Sequence, residues 1–182
     1  MLKKILTLKE YQHFFYIKKI ELKNGYLLIK KGKYRHIVSY IGNKSESIIL
    51  REGYFNLCPQ KLIYIEGFLL DPIIPQKQMK AFYTQSVSHI ELTMKEDGKN
   101  ASSWNNDFPK EIKFLNIKKE VILIIKFNEF GFPIEIMDEL GNIILEDEDR
   151  KKLNTKEEIS IYIEDLKKYI KEYKKQMKTY EK

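Results

Sequence analysis

IKKIELKNGYLLIKK, residues 17–31, decides how the rest of the chain is read. Apolar residues alternate with lysine and glutamate on both sides of Asn24-Gly25. An Asn-Gly pair between alternating runs marks a tight hairpin, because both central residues of a type I′ turn need positive φ. A second turn, Lys31-Gly32-Lys33, leads into YRHIVSYI, so the N-terminal third reads as a three-strand antiparallel meander. On the expected pleat Ile20, Leu22, Leu27, Ile29, Ile37, Ser39 and Ile41 share one face, and Lys19, Glu21, Lys23, Lys30 and His36 the other. The basic charge then collects on one face or its edge, with Lys30, Lys31, Lys33 and Arg35 as the candidate contact cluster.

Upstream, Thr7-Leu8-Lys9-Glu10 has the form of a capping box and predicts a short helix over about Leu8 to Phe15. Downstream, strands are expected at residues 47–51, 61–70, 86–94 and 119–127. Asp71-Pro72 and Pro75 break the second of these and predict a short helix over about Gln76 to Thr84. Lys95 to Glu111 reads as a long polar loop holding the only tryptophan, Trp104, a candidate partner anchor.

A ten-residue echo follows. Asn128-Glu129-Phe130-Gly131 and Asp138-Glu139-Leu140-Gly141 share the pattern of a type I turn closed by a left-handed glycine. Each copy is a hairpin corner, and together they imply a second meander with strands at 121–127, 133–137 and 142–146.

From Thr155, where Glu158 completes another capping box, no glycine or proline interrupts the chain, and a helix of about 25 residues is expected. Ile159, Ile163, Leu166, Ile170, Tyr173, Met177 and Tyr180 are spaced 4-3-4-3-4-3, an apolar seam of three heptads. Its second half is hemmed by Lys171, Lys174, Lys175 and Lys178. These patterns define an α+β protein: antiparallel meanders forming a curved sheet or small open barrel, short helices and a long C-terminal amphipathic helix. Residues 1–154 are the expected β-rich core, and 155–182 a helix that docks on it or projects.

The chain has 182 residues, 43% of them apolar, with 12 Tyr and 10 Phe, which is too much core material for a disordered segment. Its one cysteine, Cys58, excludes an internal disulfide framework and suits a reducing, cytoplasmic setting. Lysines and Glu10 interrupt the N-terminal apolar runs, and no stretch approaches the length of a bilayer span, so no membrane association is expected. The net charge of +7 is uneven: residues 1–60 carry net +8 and residues 129–154 net −5. A basic surface of this kind attracts phosphate backbones or an acidic protein.

Motifs for chemistry are sparse. His13, His36 and His89 have no metal-ligand spacing, Cys58 has no nucleophile signature, and the eight glycines form no phosphate loop, so no cofactor or metal is expected. The expected function is that of a non-enzymatic binding protein. It would be a small regulator or inhibitor, of the kind a phage or mobile element encodes, occupying a surface of a protein or nucleoprotein partner. The candidate contacts are Lys30, Lys31, Lys33, Arg35, Trp104 and, on the C-terminal helix, Lys171, Tyr173, Lys174, Met177 and Lys178. The alternative is a direct RNA- or DNA-binding protein, in one form a metal-independent nuclease built on His36 with Arg35 and Tyr34. A homodimer through the helical seam is a further reading.

Overall fold

A computed structural model describes residues 2–33, 35–58, 61–67, 79–83, 87–94, 108–143 and 153–180; segments 54–58, 61–67 and 79–83 are described by their backbone alone. Among the described residues the alternating runs form eleven strands in two antiparallel sheets. One is a six-strand meander in chain order: β2 (Tyr16–Leu22), β3 (Gly25–Lys31), β4 (Arg35–Gly42), β5 (Ser47–Cys58), β6 (Lys61–Gly67) and β7 (Met79–Tyr83). The other has the order β1-β8-β9-β10-β11, built from β1 (Leu2–Thr7), β8 (His89–Met94), β9 (Glu111–Leu115), β10 (Val121–Phe127) and β11 (Pro133–Met137). The first expected meander is present and extended to six strands; of the second, β10 and β11 form and Ile143 makes a single bridge to Met137, while residues 144–146 of its third strand lie outside the described residues. Among the described residues neither sheet closes into a barrel.

The chain passes from the first strand of one sheet to the first strand of the other through α1 (Leu8–Gln12). Its capping box is complete: Glu10 N donates to Thr7 Oγ1 at 3.1 Å, and Thr7 N to the Glu10 carboxylate at 3.4 Å. Residues 79–83, expected within a helix, are instead β7, paired with β6 from Ile63↔Tyr83 to Gly67↔Met79. A nine-residue helix is marginal by itself, whereas an open strand edge supplies backbone partners at once. β1 and β9 were not expected as strands. β1 adds to the edge of β8, and β9 fills the place between β8 and β10, where neighbouring strands rather than local pattern decide.

The first hairpin forms without the expected turn. Leu22 pairs with Gly25, so Lys23 and Asn24 make the loop, and neither has positive φ. Gly25 is required for a different reason: a Cβ there would run into the Ile41 backbone carbonyl and lie 2.8 Å from the Tyr40 ring, which covers the hairpin from β4. The pleat of β4 is also the reverse of the expectation. Leu27, Ile29 and Lys31 stand opposite Tyr40, Val38 and His36, and all six are buried on the inner face. Ile37, Ser39 and Ile41 lie outside, half exposed.

The inner faces of the two sheets contribute to one hydrophobic core, with Leu27, Ile29, Val38 and Leu50 from one and Ile90, Leu92, Ile112, Phe114, Ile125 and Ile136 from the other. α2 (Lys156–Tyr180) adds Ile159, Ile163 and Leu166, after Thr155 Oγ1 accepts from Glu158 N at its start. Lys167 Nζ holds the helix to the six-strand sheet through Tyr40 Oη (3.3 Å) and the Glu46 carboxylate (3.7 Å).

Candidate interaction surface

The four basic residues of the N-terminal meander do not share a face. Lys30 and Lys33 are exposed, whereas Lys31 is 2% exposed and points into the core. Its ammonium donates to the carbonyls of Tyr11 (3.0 Å), Gly32 (2.9 Å) and Lys33 (3.4 Å) and stands 4.2 Å from the centroid of the Tyr11 ring. Carbonyls and aromatic faces satisfy its three protons, and burial lowers its pKa to about 8. Lys31 thus ties the end of α1 to the six-strand sheet. Arg35 Nε donates to the carboxylate of Glu52, which is buried, so its charge is largely committed within the fold.

His36 is buried too, which removes it from the surface cluster with Arg35 and Tyr34; residue 34 lies outside the described residues. Its Nε2–H donates to the Gly131 carbonyl at 2.8 Å, leaving Nδ1 to accept from the Tyr16 hydroxyl. Burial, the first cause, and the Lys31 charge lower its pKa to about 4 against the opposing effect of the Gly131 carbonyl. A neutral imidazole with both nitrogens engaged is a link between sheets rather than an acid or base facing solvent. Phe127, 4.9 Å away between ring centroids, packs on it.

The C-terminal helix presents the most open contact surface among the candidates. Along the single seam, Ile159, Ile163 and Leu166 are buried and Ile170 and Tyr173 half-buried against the core; Met177 is 39% and Tyr180 87% exposed. The apolar rhythm continues where the core has ended. Lys171, Lys174, Lys175 and Lys178 are all exposed along one flank and the back of this part of the helix, with Glu172 as the one acid between residues 171 and 180. Residues 174–180 extend about 10 Å of helix beyond the last half-buried residue, Tyr173. Trp104 lies outside the described residues.

One surface was not singled out from the sequence. The second hairpin corner, Asp138–Gly141, exposes Leu140 at 80%, with Ile143 also exposed, beside Asp138 and the exposed Glu139. The Asp138 carboxylate accepts from Leu140 N (3.0 Å) and Asn142 N (2.9 Å), and the Asn142 bond, the larger cause, helps hold it below its usual pKa. The signal for this surface was present in the paired corners, but sequence alone does not say which copy is covered. A cavity of about 420 Å³ also opens between Lys18, Ile20, Glu129, Phe130 and the start of α2; its lining mixes both charge signs and selects neither.

Among the described residues no group of three His, Cys, Asp or Glu side chains is placed to hold a metal ion, and no helix is long and apolar enough to cross a membrane. Compared with known protein families, curated proteins and solved structures, the chain matches none of them.

Proposed function

We propose that this is a binding protein, a small cytoplasmic regulator or inhibitor, that occupies an acidic surface of a protein or nucleoprotein partner with the distal end of α2. The observation that carries this reading is the seam of α2: its spacing is unbroken from Ile159 to Tyr180, yet its own core covers only the first part. A helix that presents Met177 and Tyr180 with lysines along one flank suits a groove that is apolar at its floor and acidic along one rim. Lysine supplies salt-sensitive steering, and the methionine and tyrosine supply the contact area.

Direct nucleic-acid binding is the second reading. It draws on the same lysines and tyrosines together with exposed Lys30 and Lys33, since lysines track phosphates and tyrosine rings stack on bases. Pulldown from a lysate of the native host, with and without nuclease, separates the two when the intact chain is compared with the Met177→Asp, Tyr180→Asp double variant. A partner retained after nuclease treatment and lost with the double variant supports the first reading. A signal that disappears with nuclease supports the second, and capture indifferent to the helix end rejects the proposal.

A further inference from the structure

We infer that the distal end of α2 docks on the Asp138–Gly141 corner of a second copy of this chain, giving head-to-tail self-association. The two hairpin corners have the same backbone plan but different fates. In the first, the apolar third residue, Phe130, is 4% exposed within the core; in the second the equivalent Leu140 is 80% exposed. The first copy thus shows how such a corner engages an apolar surface, and the second presents the same feature outward.

The end of α2 has the complementary character. Met177 and Tyr180 are exposed, with the exposed Lys174 and Lys178 along one flank of them by helical spacing, whereas Leu140 and Ile143 stand beside Asp138 and Glu139. Pairing two helix ends would set lysine against lysine, and pairing two corners would set acid against acid. A helix end on a corner matches both charge and apolarity. The contact is heterologous, so each copy keeps one free half and successive copies can add.

The inference shares the helix end with the proposed partner contact but is tested on the purified chain alone, so either can fail while the other stands. Two variants each disable one half: Met177→Ser with Tyr180→Ser at the helix end, and Glu139→Lys with Leu140→Ser at the corner. All four positions are exposed, so both variants are expected to keep the wild-type circular dichroism and melting temperature. In sedimentation at low salt the wild-type mass should rise with concentration above 21.8 kDa and return to it at about 0.5 M salt. Each variant alone should remain monomeric, and an equimolar mixture should form pairs of twice the monomer mass and nothing larger. A wild-type chain that is monomeric at every concentration overturns the inference. So does self-association that survives the corner variant, or a mixture that stays monomeric.

Discussion

The corner at residues 128–131 and the corner at 138–141 are built on one plan. In each, the first residue's side-chain oxygen accepts two backbone N–H groups, from Phe130 and Phe132 in one and Leu140 and Asn142 in the other. In each, the fourth residue is a glycine near φ +80°. The surroundings separate them. The first corner gives its Gly131 carbonyl to His36, packs Gly131 on Ile29, and donates from the Asn128 amide to the Leu153 carbonyl at 2.7 Å ahead of α2. The second meets open space at Gly141. Local sequence therefore sets the turn, while the facing sheet decides whether that turn is a structural joint or a free surface.

The widest separation is expected at the third position. Phe130→Ala removes a buried ring from the core and should cost about 3–5 kcal/mol in denaturant unfolding, whereas Leu140→Ala should stay within about 0.5 kcal/mol in dilute solution. Equal losses would mean that the second corner is also packed, and would remove the basis for treating it as an open surface.

The joint made by the first corner should also be sensitive to acid. His36 titrates at about 4 when folded against a reference value of 6.5, so between these pH values the unfolded chain holds a proton that the folded one excludes. Stability from this group is complete above about pH 6.5 and is lost as pH falls toward 4, by about 3 kcal/mol in all. Protonation would also oppose the Tyr16 donation to Nδ1 and add charge beside Lys31. His36→Gln should flatten the unfolding profile between pH 6.5 and 4. The same drop in the variant would assign the acid sensitivity to other groups. Lys31, at about 8 when folded against 10.5, works in the alkaline range with the same sign: stability should rise as pH increases from about 8 to 10.5.

What the sequence made legible follows the same division between local and long-range causes. The Thr7 and Thr155 caps, both Asx-Gly corners and the 25-residue helix were readable because each rests on neighbours within a few positions. The pleat of β4 is not legible in the sequence, because Ile37 and Ile41 look more like core residues than His36 and Tyr40. Only the inter-sheet partners of His36 and the cover that Tyr40 gives Gly25 turn those polar side chains inward. Lys31 reads as a surface lysine for the same reason: nothing near it in sequence announces the carbonyls and ring that receive its ammonium. The open end of the α2 seam was the most legible part of the candidate surface, since the narrowing of its apolar stripe past Tyr169 is local information.

A third corner grades the comparison more finely. Asn116 Oδ1 accepts from Lys118 N and Glu120 N at 2.9 Å each, as in the other two, but the left-handed position is Lys119 at φ +63°. It escaped the repeat because a lysine stands where the pattern has glycine. The three corners therefore differ in what a Cβ costs at one backbone conformation. Gly131→Ala combines that conformational cost with a Cβ 3.0–3.3 Å from Ile29 and should lose about 2–4 kcal/mol. Gly141→Ala, with nothing to meet, should lose only about 1 kcal/mol. Lys119→Gly relieves the same cost in the opposite direction and should gain up to about 1 kcal/mol, less the added freedom of the unfolded chain. The ordering of the three midpoints in urea is the decisive reading. If Gly131→Ala and Gly141→Ala lose the same amount, backbone strain alone sets the cost, and contact with Ile29 has no part in fixing the first corner to the six-strand sheet.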